Sequence, residues 1–345
     1  MVKGICLCYL MLVLFLLEAC GSKKSTEIPL VYHSSFPKEI KVDVERIPLL
    51  QETQSTWEMF VWGDRMLLST SEMDNSAYKY VMYSYPKMDF VGYVGPRSIF
   101  ARGVMVARGC EGLFLKSDNS IDFYQLMEDS LQKVSSMDLP DDDFPVMMRL
   151  DESRWVYGND LRSTDLCDFY IYNAVKGNVS ACGVYPNVHD RSQFKDLKTF
   201  KGAYMHGIQV KPDGSRVLVY YNATRRYRIY DNDGVMIYDG MMDYSNPSSA
   251  MLVSSDRNQV VWHYDSAFAT DRYIYLLCMD RPMTGTSYGN PSVQVIGWDG
   301  IPVGRFLLDE YITAFHIDEV ENRFYGVSAD KPGNVFTFDF EVLDK

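Results

Sequence analysis

Basic residues are in short supply in this chain. Its 34 lysines and arginines face 46 aspartates and glutamates, a formal charge of −12. The balance survives loss of the first nineteen residues, because Lys3 and Glu18 cancel. Phosphate backbones are bound through a basic footprint, so nucleic acid is not an expected partner. No serine in a Gly-x-Ser-x-Gly nucleophile elbow is expected. There is no His-Glu-x-x-His, and no phosphate-cradling glycine loop follows a strand. The common hydrolase and nucleotide-enzyme readings lose their support, although a site assembled from separate segments at a channel mouth stays open. Long amphipathic helical patterns are scarce too. Tyrosine (25) and phenylalanine (18) are plentiful, and they suit packing between sheets.

What is present begins with an address. Lys3, the apolar run Ile5–Leu17 and the small residues around Ala19 form a secretory signal over 1–19, too short for a membrane span. Leu17-Glu18-Ala19-Cys20 resembles the lipobox of bacterial lipoproteins, which implies that Cys20 becomes the first mature residue and carries acyl chains. Several chains on one cysteine anchor stably where a single chain would not. The expected organisation is therefore a signal peptide (1–19), a lipidated tether (20–35) and a folded body (36–345). Gly21 follows the cysteine rather than an aspartate, so the retention signal for the inner membrane is absent. Ser22-Lys23-Lys24-Ser25 departs from the acidic stretch of surface-exported lipoproteins. Together these point to an outer-membrane anchor on the periplasmic side.

The body repeats. Ile312–Val327 is an apolar strand, a polar turn and a strand opening with Asn322-Arg323-Phe324-Tyr325, and relatives of that second strand start at Arg65, Arg154, Arg216 and Arg272, with Gly112 at the remaining place. The steps match a four-stranded blade, which predicts an all-β, six-bladed β-propeller. Turn chemistry agrees: Lys211-Pro212-Asp213-Gly214 joins one strand pair, while Asn232-Asp233-Gly234 and Asp299-Gly300 close hairpins. Phe194, Leu197 and Phe200 have helical spacing, so a short helix is expected within Asp190–Phe200. The sixth unit has only three strands before the chain ends. An open ring would leave a sheet edge unpaired. The alternating stretch Lys41–Leu50 is the unassigned candidate, and Lys41–Val44 with its neighbours is expected to close the last blade beside Asn334–Phe340.

With the lipobox, the Lys211–Arg216 turn, the Gln294–Phe306 hairpin around Trp298-Asp299-Gly300, and Phe315-His316-Ile317-Asp318 with Phe324-Tyr325-Gly326, the chain resembles the TolB-like six-bladed propeller lipoproteins of Bacteroidetes. The motifs that carry this resemblance are structural, so they imply a fold and no particular chemistry.

Candidate reactive groups are few. His206, His263 and His316 fall on inner strands, where side chains could line a central channel. Counted from Ile208, Phe268 and Phe315, His206 lies an even number of residues away and the other two odd numbers, so alternation places them on different faces. No metal, cofactor or catalytic residue is expected from them. Asp141-Asp142-Asp143 reads as a solvated loop and Asp231-Asn232-Asp233-Gly234 as a turn rather than a calcium loop. Cys167 and Cys182 stand on neighbouring antiparallel strands and could form a disulfide in an exported protein; buried free thiols are the alternative. Asp129-Ser130-Leu131 and Asp265-Ser266-Ala267 look like short acceptor patterns for O-glycosylation at Ser130 and Ser266. The expected function is a non-catalytic binding or scaffold module for a protein or glycan, tethered to the membrane through its lipid. A lactonase-like channel-mouth hydrolase or lyase is the alternative.

Overall fold

A computed structural model of the chain describes residues 28–50, 58–69, 78–96, 104–106, 113–116, 120–127, 130–139, 147–158, 163–187, 191–243, 261–282 and 291–340. The signal segment, Cys20, Cys110 and Asp141-Asp142-Asp143 lie outside them. Among the described residues the strands fall into six separate sheets. The first holds Met59–Trp62, Arg65–Ser69, Tyr78–Ser84 and Phe90–Pro96, and the second Val104–Val106, Leu113–Lys116, Ser120–Met127 and Ser130–Asp138. Met147–Arg149, Arg154–Gly158, Phe169–Asn173 and Asn178–Cys182 make the third, and His206–Val210, Arg216–Tyr221, Arg226–Asp231 and Met236–Met242 the core of the fourth. The fifth is built on Val261–Ala269, Tyr273–Pro282, Ser292–Gly297 and Pro302–Leu307, the sixth on Ala314–Asp318, Arg323–Val327 and Asn334–Asp339. Consecutive strands within each sheet are antiparallel. The helix expected within Asp190–Phe200 starts later, at Leu197–Ala203, where Asp196 caps Thr199; a 3-10 turn, Arg191–Gln193, precedes it.

Burial explains why each unit needs its neighbours. The second strands are apolar on both faces: Val217, Leu218 and Val219 are all fully buried, as are Met66, Leu67 and Leu68. A lone sheet cannot bury two faces, so each packs between two others. Leu67, Tyr80 and Val94 of the first sheet meet Tyr124, Leu126 and Leu131 of the second. Ile121 and Leu139 meet Trp155 and Tyr170 of the third, and Phe169 and Ile171 meet Val219 and Tyr230 of the fourth. Leu218 and Ile229 then meet Leu276 and Ile296 of the fifth, Val293 and Phe306 meet Phe324 and Phe338 of the sixth, and Tyr325 and Val327 return to Met66 and Val81 of the first. The succession closes on itself.

Two of the expected turns show why glycine is required. Gly214 has φ +71°, and a Cβ there would lie 2.2 Å from the carbonyl oxygen of Leu150 in the preceding sheet. Gly300, at φ +85°, leaves only 2.2 Å between such a Cβ and the Tyr238 ring. Both positions serve packing between sheets as well as the turn.

The N-terminal segment is a strap that laces three outer edges. Val31–His33 runs parallel to Met236–Met242 on the fourth sheet, and Glu39–Lys41 runs parallel to Pro302–Leu307 on the fifth. Glu45–Pro48 pairs antiparallel with Asn334–Thr337 and supplies the sixth sheet's fourth strand. The last sheet is thus completed from the N-terminus, but by Glu45–Pro48 rather than Lys41–Val44, and Lys41 belongs to the neighbouring sheet. The span expected as tether also ends earlier, since Val31–His33 is already paired. Phe36 and Val42 are buried between these strands, with the Arg305 guanidinium 5.4 Å above the Phe36 ring.

The strap's last strand carries Arg46, which pairs with buried Glu310, itself bound by Lys331. Burial pushes the Glu310 carboxyl up, but the hydrogen bonds from Lys331 and Arg46 outweigh it and hold the group below its ordinary value. A depressed carboxylate contributes stability that is complete above the unfolded value and fades as pH falls through the folded one. Unfolded glutamate titrates at about 4.3, so Glu310→Gln is expected to lower Tm at neutral pH and leave it closer to wild type near pH 3. Both cations are half exposed, so the difference stays within about 1 kcal/mol. Equal Tm offsets at pH 7 and pH 3 would remove Glu310 from the account.

Candidate functional site

Polar side chains gather where sheets meet, and two gatherings stand out. The first joins the third sheet to the fourth. Asp168, fully buried, accepts from the Tyr221 hydroxyl at 2.6 Å, from Arg228 at 2.8 Å, and from the Tyr230 hydroxyl. Arg228 turns its Nε to Asp239 at 2.9 Å and donates to the Val184 carbonyl at 2.6 Å, while Arg226 grips Asp239 with two bonds of 2.7 and 2.6 Å. Two carboxylates and two guanidiniums therefore alternate in one buried chain, Arg226–Asp239–Arg228–Asp168. Burial, reinforced by Asp168, keeps the Tyr221 and Tyr230 hydroxyls far above their ordinary values, so both remain protonated donors. Burial disfavours the Arg228 charge, yet Tyr221 and Asp168 more than restore it.

The second gathering lies between the fourth and fifth sheets. Asp280 Oδ1 receives His263 Nδ1 at 2.5 Å, Arg225 Nε at 3.0 Å and the Cys278 thiol at 3.2 Å; Arg225 also reaches Oδ2 at 2.9 Å. His263 and Cys278 are buried, whereas the Asp280 side chain keeps 24% of its surface exposed. Burial works to raise the Asp280 carboxyl, but hydrogen bonds from His263 and Arg225 win and hold it well below the carboxylate range. The His263 imidazole is lowered by burial, against the opposing pull of Asp280. Main-chain bonds brace the place: the His263 N–H meets the Asn222 carbonyl at 2.6 Å, and the Asn222 amide meets the Tyr264 carbonyl at 2.6 Å.

The local backbone accounts for the convergence. Pairing between Val261–Ala269 and Tyr273–Pro282 shifts register on both sides of Tyr264, and Asp280 adopts φ +46°. Extra residues at bulges bend a strand and re-aim its side chains. Parity counting from Phe268 therefore fails at His263, and strand alternation points to neither Asp280 nor Arg225. The available signal was Cys278-Met279-Asp280 opposite His263 on one hairpin.

The other histidines stay apart. His206 donates its Nδ1–H to the Tyr204 carbonyl, 2.7 Å away, with its ring edge-on to Tyr185 and Tyr221; His316 packs edge-on to Phe268 and Tyr85. Cys167 and Cys182 are free thiols and form no disulfide. Cys167 packs with Trp155 and Tyr170, Cys182 with Phe169 and Tyr230, in different clusters. Burial raises both thiols, Cys182 to about 12. Ser130 is exposed at a strand start, as an acceptor must be, but the Ser266 hydroxyl is shielded from solvent inside the fifth sheet, where no glycan fits. Asp231 caps its turn by accepting from the Asp233 and Val235 N–H groups at 3.0 and 2.9 Å. Against the expectation of none, the string Gly285-Thr286-Ser287-Tyr288-Gly289 does have Gly-x-Ser-x-Gly spacing; it lies outside the described residues.

Antiparallel sheets packed face to face in a closed succession, with their charges consumed at the seams, define an all-β propeller. The fold is shared with a DUF4221 family member from Bacteroides vulgatus ATCC 8482, at TM-score 0.59 and 11% identity, over 87% of this chain and 96% of that one. A protein from Bacteroides fragilis NCTC 9343 described as exported is similar at TM-score 0.52 and 8% identity, over 91% of this chain and all of the other. At such identities the likeness is one of fold. No protein-family model matches the chain, and no curated protein matches its sequence. Among the described residues no helix is long and apolar enough to cross a membrane.

Proposed function

We propose that the chain is a six-bladed, TolB-like propeller lipoprotein, one blade per sheet. In this reading it is exported, moored to the outer membrane through Cys20 with its body in the periplasm, and serves as a non-catalytic binding or scaffold module for a protein or glycan. The observation that carries the reading is how the reactive side chains are spent. Asp168, Arg226, Arg228 and Asp239 neutralise one another out of water, and Arg225 occupies Asp280. Acids committed to ion pairs hold blades together; a hydrolase needs at least one carboxylate or imidazole poised near neutrality and open to substrate. The signal segment and lipobox supply the address, and the exported B. fragilis protein of the same fold is consistent with it.

The test uses the full-length chain in detergent against an array of bacterial envelope and host glycans, measuring retention and the mass of each glycan afterwards. It is paired with photo-crosslinking in intact cells. Saturable retention of one glycan class, or one envelope protein crosslinked reproducibly, with all glycan masses unchanged, is the expected result. A glycan returned with altered mass, or neither retention nor crosslink, overturns the proposal.

A further inference from the structure

The binding role leaves the His263, Cys278 and Asp280 gathering without a task. Their potential ligand atoms all lie within 4.8 Å of one another. Imidazole nitrogen, thiolate sulfur and carboxylate oxygen together form the donor set of late first-row ions, zinc foremost; calcium and magnesium take oxygen alone. An ion about 2.0 to 2.3 Å from each ligand needs ligand atoms spaced about 3.3 to 3.5 Å apart. The 3.2 Å from Cys278 sulfur to Asp280 Oδ1 already comes close. The 2.5 Å from His263 to the same oxygen must open by less than about 1 Å, within reach of a side-chain rotation at the partly exposed aspartate.

Two further features favour an ion over a hydrogen-bonded latch alone. The register shifts at Tyr264 and the left-handed Asp280 turn three donors from two strands onto one point, in a strand pair that is otherwise regular. Arg225 grips both Asp280 oxygens, Nε on Oδ1 at 3.0 Å and a terminal nitrogen on Oδ2 at 2.9 Å; an ion on Oδ1 would replace the first bond and leave the second, the kind of outer contact that orients a metal-binding carboxylate. Its positive charge offsets part of the attraction, which the thiolate and carboxylate exceed.

We propose that His263, Cys278 and Asp280 form a site for one divalent ion of the zinc class at the seam of the fourth and fifth sheets, with Arg225 positioning Asp280 and water completing the shell. On binding, the Cys278 proton passes to solvent, the His263 proton moves from Nδ1 to Nε2, and the freed Sγ and Nδ1 lone pairs join the carboxylate on the ion.

Cobalt(II) reports the site directly. Titrated into the metal-stripped full-length chain in detergent, it is expected to give one equivalent of binding, with a near-ultraviolet thiolate-to-cobalt band that zinc displaces. Cys278→Ser should abolish the band, while Cys167→Ser and Cys182→Ser keep it. Outer-shell partners are worth about 10- to 100-fold in affinity, so Arg225→Lys should weaken binding by about ten-fold and Asp280→Asn by more. A folded wild-type chain, verified by circular dichroism, that shows no sulfur band overturns the proposal whatever the variants do. A band that survives Cys278→Ser overturns it as well.

Discussion

Asp168→Ala is expected to cost about 3 to 5 kcal/mol, the range for removing one partner of a buried ion pair. The reason is what it leaves behind. Arg228 keeps Asp239 and the Val184 carbonyl but loses the carboxylate on its other side. The Tyr221 and Tyr230 hydroxyls lose their acceptor in a region water does not reach. The network, two acids against two arginines, becomes one against two. Asp168→Asn keeps the shape and one acceptor, so its cost should be nearer the 1 to 3 kcal/mol of an unsatisfied polar group, on the order of half the alanine value. Urea unfolding at pH 7 measures both. A double-mutant cycle with Arg228→Met then asks whether the loss belongs to the pair: coupling of about 1 kcal/mol or more is expected for direct partners. An Asp168→Ala loss below about 1 kcal/mol would mean that water enters the seam and replaces the carboxylate.

That seam illustrates what the sequence could and could not reveal. Apart from the strap, each sheet is built from neighbours along the chain, so its signals are local: alternation, the arginine opening the second strand, and the Asp-Gly turns at Asp233-Gly234 and Asp299-Gly300. Those strands stand where the pattern put them. Arg154, one of the recurring arginines, also reaches the Asn232 carbonyl of the next sheet at 2.7 Å, a role its spacing alone does not announce. The seams are assembled from residues far apart. Asp168 meets Arg228 across sheets, and Asp280 meets His263 only because bulges cancel the alternation on which face assignment depends. The strap was legible in part. The missing strand of the last sheet demanded a partner, but parallel edge strands of three residues such as Val31–His33 have no turn and little periodicity to mark them.

Removing that strap should have the larger effect. A chain lacking residues 28–48 loses the buried side chains of Phe36 and Val42 and uncovers the edge of Asn334–Asp339, where Val335, Phe336 and Thr337 are now fully buried. Each lost apolar side chain is worth about 1.5 to 3 kcal/mol. With the pairing on three edges gone as well, the sum rivals the 5 to 15 kcal/mol typical of a whole protein's stability. The truncated chain is therefore expected to lose cooperative urea unfolding and to elute as aggregates on size exclusion, because the open edge of the sixth sheet templates pairing with another chain. Phe36→Ala separates packing from edge closure. It leaves Glu45–Pro48 in place, so it should cost about 3 to 5 kcal/mol while the protein stays monomeric. If the truncated chain instead remained monomeric and unfolded cooperatively within about 1 kcal/mol of wild type, the ring would hold without its strap. The three edge pairings would then decorate a closed structure rather than close it.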